Sequence, residues 1–197
     1  MGHSEPAIMS MFRRAGDICT ARFSPEEVKV LRQVATEVVA LLTEGFDRDD
    51  PVVERMFPDV YPDDQAATVD LRRYTDGDLK TAKIDQAGAI LAALPSSGGG
   101  DVTLDEESAE AWLRALTDVR LAIGTRLEVR DDTALQDELD EAVLHDPTSA
   151  RVGQLSLFAY VGFLLESLLD AMTAANGDSG DSSGSGHGGD SGDAAGA

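Results

Sequence analysis

The one thiol of this chain, Cys19, stands close to three arginines, Arg13, Arg14 and Arg22. Guanidinium groups beside a thiol favour the reactive thiolate, whereas burial favours the inert thiol. Cys19 is therefore either a small core side chain on the inner face of a strand or a candidate redox thiol. In the second case it is open to sulfenic acid, a mixed disulfide or an intersubunit disulfide. Nucleophilic catalysis asks for more, a base beside the nucleophile and an acid to orient that base. The histidines His3, His145 and His187 are scattered, and only His145 falls in the part patterned for a core. Metal binding meets the same obstacle. Asp47, Asp49 and Asp50 ahead of Pro51 approach a calcium loop, but the glycine and closing glutamate of that pattern are missing. Paired carboxylates at Asp63-Asp64, Glu106-Glu107 and Asp131-Asp132 are what composition alone produces. The expectation is a protein that is not an enzyme and has no metal site and no cofactor.

Charge narrows the partners. The formal net charge is −21, from 37 acidic and 16 basic residues, and only three of the basic ones are lysines. Leaving out Asp178, Asp181, Asp190 and Asp193 of the tail still leaves 33 acids against 16 bases. Such a surface repels phosphate and anionic lipid. Two cationic sets interrupt it, the arginines around Cys19 and the group Arg72, Arg73, Lys80 and Lys83. Both are small, lie among acids and lack the interleaved aromatic platforms that bases stack on. Direct nucleic-acid binding is therefore disfavoured, and a protein partner is favoured. One cysteine precludes an intramolecular disulfide, which suits a reducing cytoplasm. The start, MGHSEPAIMS, has no signal-peptide core. The most apolar run, Leu155 to Leu165, has 11 residues, against about 20 for a bilayer span. A soluble protein follows.

The elements that must position these residues are mostly helical. Met9–Arg14 and Ile18–Phe23 form two short strands around a Gly16-Asp17 turn, with Cys19, Ala21 and Phe23 on one face. Ser24 and Glu27 make a capping box with Pro25 at the first helical position, and Phe23 staples to Val28. Val28, Leu31, Ala35, Val38 and Leu42 are the buried stripe of that helix, which Gly45 ends. Asp50-Pro51 opens a short helical turn carrying Val52, Val53, Met56 and Phe57. A helix over 65–74 breaks at Thr75-Asp76-Gly77-Asp78, where Thr75 and Asp78 stand at capping spacing. A second helix then runs to Leu94 on Leu79, Ala82, Ile90 and Leu94, with Pro95 as its stop. Val102-Thr103-Leu104 adds a third strand to the hairpin.

The central element is the helix over 107–129, with Asp105 as its N-cap. Trp112, Leu116, Val119, Ile123 and Leu127 form its stripe, which Leu113 and Leu121 widen. Gly124 costs about 1 kcal/mol against alanine there, so it marks a close helix approach. Arg120, beside Leu113 and Leu116, is expected half-buried against a carboxylate, as a structural ion pair. A thin stripe of Leu135, Leu139 and Val143 makes 130–145 a surface helix. The last helix, 149–175, is apolar nearly all round, so it is buried in the bundle or partly across a homodimer contact. The fold class is mainly α, a helical bundle with a small N-terminal β-hairpin. Its domain spans 9–175, with a disordered N-terminus at 1–8 and a disordered acidic tail at 176–197.

The run from Trp112 to Leu127, WLRALTDVRLAIGTRL, resembles a bacterial, mainly actinobacterial, family first described as a domain of unknown function and named for the oxidative-stress regulator AosR. Four other stretches carry the resemblance: MFRRAGDICTARFSPEEVKVLRQ, DPVVERMFPDVYPDD, DLRRYTDGDLKTAK and LLESLLDAM. Together they extend it over about residues 9 to 174. The resemblance implies a cytoplasmic, non-enzymatic regulator of transcription under oxidative stress, acting through a protein such as a sigma factor of RNA polymerase. The matched Trp112, Asp118, Arg120, Gly124 and Arg126 are family-motif positions with a structural role and no assigned chemistry. Sensing by a disulfide within one chain needs two thiols, and only Cys19 is present, so that property is not carried over. Two alternatives stand beside this expectation. One is an adaptor or assembly factor for a protease or chaperone system. The other is a small-ligand binder or enzyme using Arg120 and Arg126 in a pocket.

Overall fold

The computed structural model describes residues 11–61, 63–129 and 135–174. Expectations for 1–10, 130–134 and 175–197 lie outside the described residues, the tail and the start of the first strand among them. The hairpin forms from β1 (Arg13–Ala15) and β2 (Ile18–Phe23), with Ala15 opposite Ile18 across the Gly16 turn. The expected third strand exists as β3 (Gly100–Leu104), antiparallel to β2 with Cys19 opposite Leu104. The sheet order β1-β2-β3 places β2 in the middle. Alternation along β2 buries Cys19, Ala21 and Phe23, and Val102 and Leu104 of β3 join them.

Six helices make up the rest, α1 (Pro25–Thr43), α2 (Pro51–Met56), α3 (Gln65–Ala93), α4 (Glu106–Leu127), α5 (Leu135–His145) and α6 (Ala150–Thr173). The chain is thus mainly α with a small antiparallel sheet. The start of α1 follows the local signal: Glu27 N–H donates to Ser24 Oγ at 3.2 Å, and Ser24 N–H donates to Glu27 Oε2 at 2.8 Å. Such a box satisfies two of the amide donors that every helix start leaves open. The other Glu27 oxygen accepts from Tyr160 Oη at 3.0 Å, so the cap also ties α1 to α6. Burial and the adjacent carboxylate push the Tyr160 phenol well above its usual range.

Helix α4 touches α1, α2, α3, α6 and the sheet. Trp112 and Leu116 are wholly buried, and the Trp112 ring lies among Phe12 and Phe23 at centroid distances of 5.6 and 6.2 Å. Asp105 caps α4 by accepting from Ser108 N–H at 2.9 Å. Gly124 does admit a close helix: a Cβ there would stand 2.8 Å from Phe158 Cε2 of α6. Helix α6 is long and apolar enough to cross a membrane by length and composition, with a mean hydropathy of 1.5. Here Leu155, Val161, Leu164 and Leu168 are fully buried, so it packs as a core helix.

Three expectations need correction. The predicted break at Thr75–Asp78 is absent, and α3 runs continuously through it. Thr75 Oγ1 donates back to Leu71 O at 3.0 Å instead of capping a new start. Asp76 pairs with Arg48, fastening the middle of α3 to the loop ahead of α2. Gly77 costs a continuous helix only about 1 kcal/mol, less than these contacts and an unbroken backbone ladder supply. The buried face of α3 also differs, since Leu79 and Ala82 are exposed whereas Ala87, Ile90 and Leu94 are buried. On α5, Ala142 joins Leu135 and Leu139 against Leu127, Leu155 and Phe158, and Val143 turns outward.

Candidate partner-binding groove

Cys19 sits in the core, 5% exposed, facing away from solvent on β2. Burial pushes its thiol above the usual range, and Arg14 only partly opposes this. Two of the surrounding arginines are engaged elsewhere. Arg14 donates to Gly16 O at 2.8 Å and Met172 O at 3.1 Å. Arg22 pairs with Asp101 at 3.3 Å. His145, on α5, is exposed.

The second cationic set is equally occupied. Arg72 pairs with Asp59, Arg73 lies 3.9 Å from Asp70, and Lys80 covers the Phe46 ring at 4.8 Å. Lys83 turns inward and donates to Asp118 at 2.7 and 2.9 Å. That buried pair lies two residues from Arg120, on the opposite side of α4. The half-buried Arg120 guanidinium lies over the Phe158 ring, 4.4 Å from its centroid, against Gly162 of α6. The choice is geometric: Asp118 faces α3, and Arg120 faces α6. Burial raises the Asp118 carboxyl above its ordinary range, outweighing the lowering by Lys83.

The Asp47, Asp49 and Asp50 run closes on itself. Asp47 Oδ1 accepts from Asp49 N–H at 3.0 Å, and Asp50 Oδ1 caps α2 by accepting from Val52 N–H at 2.7 Å. The second Asp50 oxygen accepts from Arg126 at 3.1 Å. Among the described residues, no three His, Cys, Asp or Glu side chains converge as metal ligands would.

Arg126 leads to a feature that residue chemistry did not announce, a groove of about 460 Å³ between α1 and α4. Its floor is made by Val34, Val38, Val52, Val119 and Leu127, all buried. Its walls are the half-buried Val30 and Leu41 of α1, Ala122 and Ile123 of α4, and Leu157 of α6. Gln33 and Glu37 line one lip, and Arg126 and Gln154 the other. Concave, mostly aliphatic sites with a few placed polar groups are the usual form of a binding site. A sequence signal for it exists. Beside the stripe Val28, Leu31, Ala35, Val38 and Leu42, α1 carries Val30, Val34 and Leu41 at helical spacing, which widens its apolar face towards the groove. Of the five family-motif positions, Trp112 fills the core, Asp118 pairs with Lys83, and Arg120 and Gly124 face Phe158. Only Arg126 reaches the groove.

The family described as Domain of unknown function (DUF2017) matches residues 9–172. Proteins of Mycobacterium bovis and Mycobacterium tuberculosis, each named oxidative stress regulator AosR, are 28% identical over 152 residues, 59% of this chain and 68% of theirs. A Mycobacterium leprae protein named for the same regulator is 37% identical over 94 residues, 41% of this chain. That match spans 43% of the Mycobacterium leprae protein, less than half its length. No solved structure gives a significant match.

Proposed function

The chain belongs to the DUF2017 family, and from that premise we propose that it is a regulatory, non-enzymatic protein of the oxidative-stress response. The observation carrying this reading is the similarity to proteins named as oxidative stress regulators, within a family match that covers most of the chain. Its action is through protein contact in the cytoplasm, with a sigma factor of RNA polymerase as the expected partner. The electrostatics support a protein partner over DNA. Net charge is −21, and Arg14, Arg22, Arg72, Lys80 and Lys83 are already matched with acids, carbonyls or rings. The burial of Cys19 and its raised pKa support a regulator whose oxidant response originates in its partner or follows a structural opening.

The test is affinity capture of the tagged full chain from its own cells, with and without oxidant, with mass spectrometry of what is retained. Recovery of RNA polymerase with one sigma factor, varying with oxidant, is the expected result. Recovery of protease or chaperone subunits instead would overturn the reading in favour of an adaptor.

A further inference from the structure

We infer that the groove between α1 and α4 receives one amphipathic helix of a protein partner, seated by aliphatic anchors and oriented by Glu37 and Arg126 on opposite lips. This rests on the regulatory reading and names the surface that would serve it. The α1 wall from Val30 to Leu41 runs about 16 Å at about 1.5 Å per residue. Three turns of a docked helix need that length, and helices laid in apolar grooves place anchors at i, i+3 or i+4 and i+7. The floor is aliphatic, its half-buried walls Val30, Ile123 and Leu157 remain within reach of an incoming side chain, and the volume is about 460 Å³.

Charge selects the occupant. Glu37 stands on the α1 lip and Arg126 on the α4 lip. A helix with a cation along one flank and an acid along the other complements both, and complementary rims fix orientation and register. The present engagements of these side chains are exposed and easily exchanged, Gln33 with Glu37 at 3.0 Å and Arg126 with Asp50 at 3.1 Å. A lipid chain would fill the floor and leave a carboxylate facing hydrocarbon. Nucleic acid would meet both an aliphatic floor and a strongly acidic protein.

The experiment is methyl NMR of the full chain titrated with a synthetic helical peptide of about fifteen residues, bearing leucines at the anchor spacing, lysines on one flank and glutamates on the other. Shifts confined to Val30, Leu41, Ile123 and Leu157 are expected, and a sequence-scrambled peptide should cause none. Ala122→Phe, which plugs the groove, should weaken binding at least about tenfold, as loss of a central anchor does. Glu37→Lys, on the exposed lip, tests the charge pattern without touching the core and should weaken binding with unchanged melting. Unperturbed groove methyls, or undiminished affinity in both folded variants, would overturn the inference, as would shifts produced by laurate and not by the peptide. A photo-crosslinker at position 33 in cells separates the two levels. Crosslinks should reach a partner segment at helical spacing. Capture of a transcription partner that these crosslinks miss would sink the groove and spare the regulator. Crosslinks to a helix of a protein outside transcription would do the reverse, and crosslinks to a second copy of this chain would replace the proposed occupant.

Discussion

Removing the lysine of the buried Lys83–Asp118 pair should destabilise the fold in a pH-dependent way. The two side chains are 14% and 9% exposed and 2.7 Å apart. With an effective dielectric near 20, their attraction is about 6 kcal/mol. Desolvation costs several kcal/mol for each ion, so the intact pair is close to neutral or slightly unfavourable, in agreement with the raised Asp118 carboxyl. Lys83→Met leaves an uncompensated buried carboxylate and should cost about 3–5 kcal/mol at neutral pH. Lys83→Met with Asp118→Leu should restore stability to near that of the parent. The sign follows from the direction of the shift. A carboxyl whose folded pKa lies above its unfolded value of 3.8 contributes stability fully below that value and loses it as pH rises through the folded pKa. The Lys83→Met penalty is therefore full at neutral pH and shrinks as acid protonates Asp118. Urea unfolding of the four proteins of the cycle between neutral pH and about pH 4 measures this. A single-variant cost under about 1 kcal/mol, or a double variant as unstable as the two singles summed, would refute the burial argument.

Three further outcomes test other parts of the fold. Gly124→Ala gains about 1 kcal/mol of helix propensity yet forces a methyl within 2.8 Å of the Phe158 ring, so a net loss of about 1–2 kcal/mol should appear in thermal melting. Leu116→Asp, at a fully buried position, should abolish cooperative unfolding by circular dichroism; an unchanged melt would mean that α4 is not the core helix. Cys19 should react with iodoacetamide far more slowly in the native protein than in urea, because it is buried and its pKa is raised. Equal rates would show an open thiol and restore the redox reading.

Features governed by neighbours within one or two helical turns were determined by the sequence itself. Ser24, Pro25 and Glu27 start α1 because a side-chain oxygen three residues away meets an open amide, wherever the helix later packs. The Trp112–Leu127 stripe, the Asp105 cap and the alternation of Cys19, Ala21 and Phe23 follow from the periods of helix and strand. Gly124 announced a close approach because a residue that costs a helix interior about 1 kcal/mol needs a packing reason inside such a stripe. Tertiary structure decided what depends on residues far apart in the chain. Thr75, Gly77 and Asp78 carry a valid local break signal, overridden once Arg48 reaches Asp76 from 28 residues away. Asp118 and Arg120 are both charged positions among apolar neighbours, and only the placement of α3 and α6 sets one against Lys83 and the other against Phe158. Cys19 has arginine neighbours in sequence, but packing beneath the sheet determines that burial outweighs them. The groove belongs to the same class, since an aliphatic line on α1 becomes a concave surface only where α4 and α6 leave it partly uncovered.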